Sequence, residues 1–159
     1  MKTPSISELK KELKAYPTPE LIEFCVRLAK SKKETKELLC YLMFEAQDEK
    51  QFVKNIQAEV DQLFQAINRQ SAYTTKKGLQ KAVRYLNRYI RYSEEDTTEI
   101  ELRIYFCKKI KTEQIDLSAS SVINNIYQRE KEKIKKCLGR LHEDLQYDYR
   151  ETVVGLEDY

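Results

Sequence analysis

The segment QFVKNIQAEVDQLFQAI, residues 51–67, carries the clearest structural pattern in the chain. Its large apolar residues recur every three or four positions: Phe52, Val53, Ile56, Val60, Leu63, Phe64 and Ile67. In an α-helix this spacing brings the side chains onto one face, which can pack against a protein core. The pattern predicts a helix that begins near Asp48 and has Phe64 at the centre of its buried face.

Three further helices are predicted on the N-terminal side of this segment. Ser5 followed by Glu8 matches a capping box at the start of the first helix. The sequence YPTPE, residues 16–20, interrupts the helical pattern, and Thr18 then provides a cap for the second helix. A similar capping pattern at Ser31 predicts the start of the third.

The segment EIELRIYFCKKI, residues 99–110, fits two structures. Ile100, Leu102, Ile104 and Phe106 alternate with polar residues, as in a β-strand, but the same segment also accommodates helical spacing. A strand here would have no partner elsewhere in the chain, and unpaired backbone groups are costly to bury. The segment is therefore predicted to be a well-buried sixth helix.

A seventh helix is predicted from about Ser118, with one apolar seam that continues through Gly139 to Leu145. The tail, residues 151–159, is expected to fray. With the basic helix described below, this gives an all-α fold of about seven helices in antiparallel hairpins. An irregular bundle and a short, degenerate helical array both fit the pattern. Residues 1–159 are predicted to form a single domain.

The composition limits the cellular setting. The four cysteines have no C-x-x-C spacing and fall in or beside apolar runs, which predicts buried, reduced, metal-free thiols: Cys25, Cys40, Cys107 and Cys137. The N-terminus lacks the apolar region of a secretion signal, and no run of apolar residues is long enough for a membrane span. The sequence therefore predicts a cytoplasmic protein that does not enter membranes.

The segment KKGLQKAVRYLNRYIRYS, residues 76–93, has six basic side chains and no acidic one. Since the whole chain carries a net charge of +3, the other residues sum to −3. On a helix, five cations fall within roughly 80° of each other and form what we call the basic row: Lys77, Lys81, Arg84, Arg88 and Arg91. Tyrosines follow one border of this row, and the candidate partner-binding residues are Lys77, Lys81, Arg84, Tyr85, Arg88, Tyr89 and Arg91.

Three uses of the basic row remain open from the sequence. An acidic protein surface, including a second copy of the chain, could pair with its charges. Nucleic acid could use the row for phosphate contacts and the tyrosines for base stacking. The chain's own acids, in residues 94–96 or 141–159, could neutralise the row internally, which would make it a structural feature. The row could also have no partner and be only the solvated face of an amphipathic helix, whose Lys and Arg stems cover the edge of the core.

Recognisable catalytic patterns are missing from the sequence. It contains no nucleophile elbow, no phosphate-binding glycine loop and no zinc-protease motif. The only histidine, His142, has no second histidine for metal binding and no relay partner on its predicted helical face. We expect no catalytic, cofactor-binding or metal-binding residues and no cofactor. A non-enzymatic interaction or scaffolding domain is the first hypothesis, a nucleic-acid-associated protein the second and an enzyme the third.

One long N-terminal stretch invites comparison with known proteins. ELKKELKAYPTPELIEFCVRLAKSKKETKELLCYLMFEAQDE, residues 8–49, resembles the opening of small all-helical bacterial proteins of unknown function. The resemblance rests on a pattern of helix caps and leucines. It implies a bacterial, cytoplasmic, single-domain protein and carries no activity, cofactor or site residue with it.

Overall fold

The computed structural model describes residues 3–156, which form eight α-helices, one π-helical turn, one 3₁₀ turn and no β-strand. In chain order the elements are α1 Ile6–Leu13, α2 Thr18–Ser31, α3 Lys33–Cys40, the π-helical turn Tyr41–Glu45, α4 Glu49–Gln65, α5 Ala72–Ser93, α6 Asp96–Thr112, the 3₁₀ turn Leu117–Ala119, α7 Ser121–Leu138 and α8 Glu143–Gly155. The predicted all-α fold with about seven helices is confirmed.

The chain forms two compact units, the first ending at Phe44 and the second beginning at Glu45. The first unit contains α1, α2 and α3, and the second contains α4 to α8. The expectation of one domain over residues 1–159 stays a prediction.

The first unit is held together by caps and light packing. The predicted capping box of α1 is present: the Ser5 hydroxyl accepts from the Glu8 amide at 3.3 Å, and the Glu8 carboxylate accepts from the Ser5 amide at 2.7 Å. α2 begins at Thr18 and packs along α3. The predicted cap at Ser31 is wrong, because Ser31 ends α2 and its hydroxyl donates to the Leu28 carbonyl at 2.6 Å.

The core of the second unit is built around α6, which packs against α4, α5 and α7. Apolar side chains are buried around most of the α6 circumference: Ile100, Leu102, Ile104, Phe106, Cys107 and Ile110. This arrangement explains the ambiguous pattern in the sequence, because a helix surrounded by neighbours needs no single apolar stripe. The prediction of a well-buried sixth helix is confirmed.

The helix predicted from residues 51–67 is α4, and its inward face is the predicted one. Phe64 is fully buried and meets Phe106 of α6 edge-on, with ring centroids 5.5 Å apart. Val60 is also fully buried. The α4–α6 contact is therefore one of the apolar seams that holds α6 at the centre of the unit.

The predicted seventh helix is wrong in its length. α7 ends at Leu138, Gly139 forms its C-cap, and a separate helix α8 begins after His142. The break lets the chain change direction while Leu141 stays buried between the two helices. The apolar residues continue past Gly139 because α7 and α8 both direct apolar side chains into the same core. Their spacing therefore does not show the break.

Helix α8 is fixed to the rest of the second unit by three polar contacts. The Tyr127 hydroxyl donates to the Leu156 carbonyl at 3.1 Å, the Tyr149 hydroxyl donates to Glu101 at 2.7 Å, and Lys111 donates to a backbone carbonyl near the end of α8 at 2.6 Å. Of the tail predicted to fray, residues 151–155 are helical, and residues 157–159 lie outside the described part of the chain. The fraying stays a prediction.

The burial prediction holds for only two of the four thiols. Cys107 and Cys137 are buried, whereas Cys25 and Cys40 are exposed. The two exposed thiols lie on α2 and α3, where no residue is buried. Burial raises the pKa of Cys107 to about 12 and that of Cys137 to about 11.

An ionic network runs through the second unit. Arg103 of α6 and Glu130 of α7 are both buried and form an ion pair of 2.5 Å. Arg103 also donates to Glu99 at 2.7 Å and to Asn87 of α5 at 3.0 Å. The second Glu130 oxygen accepts from Lys133 at 2.7 Å. Because the network links α5, α6 and α7, it fixes how these three helices sit against one another.

Candidate functional site

The basic row lies on the outer side of α5. A capping box of Ser71 and Thr74 starts this helix, and the buried residues Leu79, Leu86 and Ile90 hold its inner face against the core. The cations of the row occupy the opposite face: Lys77, Lys81, Arg84 and Arg91 are exposed, and Arg88 is half-buried. The structure therefore displays most of the row to solvent.

The tyrosines beside the row are engaged in packing. Tyr85 and Tyr89 have ring centroids 4.6 Å apart, and Tyr89 meets Tyr92 edge-on at 5.3 Å. The ring of Tyr89 also lies beside that of Phe52 of α4, with centroids 6.3 Å apart. Tyr85 and Tyr89 are only half-exposed and Tyr92 is buried. Since these rings are packed edge-on and tilted against aromatic neighbours, they do not form an open platform on which bases could stack.

A groove opens on the other flank of the row, between α5 and α7. Its volume is ≈ 400 Å³. Three apolar side chains line it and are called the floor below, namely Val83 of α5 with Val122 and Ile126 of α7; the amide side chains of Gln80 and Asn125 line it as well. The rim is cationic, with Arg84 on one side and Arg129 and Lys133 on the other. Apolar anchors and basic contacts are therefore available next to each other.

The α7 side of the groove extends the positive charge. Arg129, Lys133 and Lys136 are spaced by four and three positions, so they lie along one face of the helix. Glu130 is the one acidic residue in the groove lining, and it is buried and paired with Arg103 and Lys133. The groove therefore keeps an excess of positive charge.

The α7 residues were not among the predicted partner-binding residues. The i, i+4, i+7 spacing of Arg129, Lys133 and Lys136 is visible in the sequence and could have indicated a second basic row. The sequence does not show that packing places this second basic row, on α7, beside α5. Only the contact between α5 and α7 brings the two rows and the apolar floor together.

Among the described residues, no acid neutralises the exposed cations of the row. Within residues 3–156, no ion pair joins Lys81, Arg84 or Arg91 to an acid. Lys77 lies 4.5 Å from the centroid of the Tyr73 ring, and its hydrogen bond and charge lower the pKa of that hydroxyl.

One of the acids proposed for internal neutralisation, Asp96, is paired with a cation outside the basic row. Asp96 pairs with Arg140 at 2.6 Å. Arg140 also contacts Glu99 at 2.6 Å, which places one guanidinium against two carboxylates. Ligand atoms of Asp96, Glu99 and Cys137 lie within 4.8 Å of one another. Arg140 supplies the positive charge of this cluster, so we interpret it as part of the ionic framework of the unit.

The single histidine has a local role at the start of α8. His142 is the N-cap residue, and its Nδ1 accepts from the Asp144 amide at 3.5 Å. The Asp144 carboxylate also lies 3.5 Å from Nδ1, and both side chains are well exposed. The sequence predicts His142 inside a helix, where side chains two positions apart do not face each other. This prediction is wrong, because His142 precedes α8 and its side chain can approach that of Asp144.

A second surface with apolar and basic character lies on the first unit. Between α2 and α3, the apolar residues Val26, Ala29 and Leu39 are surrounded by lysines: Lys30, Lys32, Lys33 and Lys36. Several large apolar side chains of this unit are also exposed, among them Ile22 and Leu28. Nothing in the described residues indicates what contacts this surface.

None of the helices in residues 3–156 combines the length and the apolar character that crossing a membrane requires. No protein-family model matches the chain. Comparisons with curated proteins and with solved structures also give no match. The resemblance of residues 8–49 to small helical bacterial proteins stays an expectation.

Proposed function

We propose that the protein is a non-enzymatic interaction module that binds an acidic, partly apolar segment of another protein through the groove between α5 and α7. One observation carries the proposal: an apolar floor of Val83, Val122 and Ile126 lies between two cationic rims. A partner helix or strand with acidic residues on both sides of an apolar anchor matches this arrangement.

Magnitudes explain why the partner must bring both kinds of side chain. Exposed ion pairs contribute about 0.2–1 kcal/mol each, so three rim cations supply at most about 3 kcal/mol. Micromolar binding requires about 8 kcal/mol. Each Leu or Phe side chain buried on the floor adds about 1.5–3 kcal/mol. A purely acidic partner therefore binds weakly, and apolar anchors are needed before binding can approach the micromolar range, because association itself costs free energy.

Three observations favour a protein partner over nucleic acid. The tyrosines that could stack on bases are packed against one another and against Phe52. The net charge of the whole chain is only +3, which gives a weak long-range attraction for a polyanion. An apolar floor also offers nothing to a phosphate backbone, whereas it fits the anchor residues of a peptide.

The test measures binding of a fluorescent acidic amphipathic peptide to the full chain by anisotropy. The groove variant Arg84→Glu with Arg129→Glu should weaken binding at least tenfold. A matched control, Lys54→Glu with Lys108→Glu, changes the net charge equally at exposed positions outside the groove and should bind like wild type. Replacing the peptide's apolar residues with serine should also abolish binding.

The same assay with duplex DNA and single-stranded RNA tests the alternative, a nucleic-acid-binding function. Five phosphate contacts would give a salt slope of about −4.5 on duplex DNA. Micromolar DNA or RNA binding with such a slope, lost in the groove variant and retained in the control, would replace the proposal with a nucleic-acid function. Equal peptide binding by the groove variant and the wild type would also refute it.

A further inference from the structure

Helix α8 displays a surface that complements the groove. Around this helix, four acids and two apolar residues fall within an arc of about 140°: Glu143, Asp144, Tyr147, Asp148, Glu151 and Val154. Tyr147 is 77% exposed and Val154 is 59% exposed, although both are large apolar side chains. An acidic helix face with an exposed apolar stripe is the kind of ligand that the groove requires.

The acids on this face have few internal partners. Asp144 lies near His142, as described above. Within residues 3–156, no ion pair involves Glu143, Asp148 or Glu151. The charge of this face is therefore available for an intermolecular contact, as is the charge on the groove rim.

The dimensions of the two surfaces agree. Glu143 and Glu151 are eight positions apart, which corresponds to about 12 Å along a helix. Val122 and Lys133, which line the groove on α7, are eleven positions apart, which corresponds to about 16.5 Å. The α8 face is therefore short enough to lie within the groove. With Tyr147 and Val154 turned toward the floor, Asp144, Asp148 and Glu151 all lie on one side of them and can meet one cationic rim.

The α8 helix that fills the groove must come from another molecule. In the same copy the described lining of the groove consists of α5 and α7 residues only. The contacts of α8 with Tyr127, Glu101 and Lys111 hold it in place beside α6 and α7. It could reach the groove of its own copy only by breaking them.

We infer that α8 of a second copy of this chain docks in the groove, so that the protein associates with itself. This inference rests on the proposed function of the groove and names one partner for it. A two-fold arrangement places each α8 in the groove of the other copy, so that the contact forms twice. Stable interfaces bury roughly 800 Å² per partner, which two helix-in-groove contacts can approach more readily than one.

The test is sedimentation velocity of the full chain across a concentration series at low and moderate salt. Wild type should form a dimer that weakens as salt is raised. The groove variant Arg84→Glu with Arg129→Glu and the helix variant Asp148→Lys with Glu151→Lys should each lose dimer, with a dissociation constant raised at least tenfold. Lys54→Glu with Lys108→Glu should dimerise like wild type, and circular dichroism confirms that every variant is folded.

The most decisive part of the experiment is to mix the groove variant with the helix variant. The groove variant keeps a normal α8 and the helix variant keeps a normal groove, so an equimolar mixture has one intact contact and should form heterodimers. A heterodimer in the mixture, absent from either variant alone, supports the inference in a way that a general loss of stability cannot imitate.

The outcomes separate this inference from the proposed function. If wild type stays monomeric at all concentrations but binds the acidic amphipathic peptide, self-association is refuted and the binding function stands. A dimer that neither variant disrupts also refutes the inference. If the complementing mixture dimerises but the peptide does not bind, the inference stands and the wider binding function fails.

Discussion

Removing the buried carboxylate of Glu130 should strongly destabilise the second unit. Glu130 is 1% exposed and accepts from Arg103 and Lys133. Breaking a buried ion pair by removal of one partner costs about 3–5 kcal/mol, because the other charge stays buried. Arg103 keeps Glu99 and Asn87 as partners, which favours the lower end of that range. We expect Glu130→Ala to lower the free energy of unfolding by about 3 kcal/mol.

Urea unfolding followed by circular dichroism measures this change. With a slope of about 1–3 kcal/mol per molar urea, the midpoint should fall by about 1–3 M. Glu132→Ala, at an exposed position of the same helix, should stay within about 0.5 kcal/mol of wild type. Replacing both members of the pair with apolar residues should recover much of the loss. A Glu130→Ala midpoint equal to that of the control would show that the network contributes nothing to stability.

Four further predictions address packing and titration. Phe64→Ala should lower the free energy of unfolding by about 3–5 kcal/mol, because its ring is fully buried; an unchanged thermal midpoint would contradict this. Gly78→Ala should destabilise despite the better helix propensity of alanine, since its Cβ would lie 2.7 Å from Ile67, and a higher urea midpoint would refute that reasoning. Native thiol titration should give two fast and two slow cysteines, as their exposure requires, and four equal rates would be the contrary result. Burial raises the pKa of Cys107 from 9.0 to about 12, so its stabilising contribution is full below pH 9 and is lost as pH rises to 12; urea midpoints that do not fall over this window would contradict the assignment.

Local patterns predicted the elements that have one exposed and one buried face. The spacing in residues 51–67 predicted α4 and its inward residues, because apolar residues recur every three or four positions in an amphipathic helix. The sixth helix was predicted only by elimination of a strand, since α6 is surrounded by other helices. The break after Leu138 did have a signal in the sequence, because Gly139 follows two lysines in the last turn and such a glycine is common at helix ends; the apolar residues beyond it favoured the wrong prediction of one continuous helix.

Burial in the first unit could not be predicted from periodicity. The apolar stripes of α2 and α3 look like those of α4, yet none of their residues is buried. A stripe shows which side of a helix is apolar, and it does not show whether another surface covers it. The same reasoning applies to the site: the basic row on α5 was visible, but its neighbour on α7 became relevant only when folding placed the two helices side by side.

The most direct test of the proposed binding groove is to map where an acidic amphipathic peptide contacts the protein, by following backbone amide shifts in ¹⁵N–¹H NMR spectra during a titration. The account predicts that the largest saturable changes lie on the facing sides of α5 and α7, around Val83, Arg84, Ile126 and Arg129, and that they disappear in the groove variant. Changes confined to other helices, such as the lysine-rich surface between α2 and α3, or changes that persist in the groove variant, would contradict it.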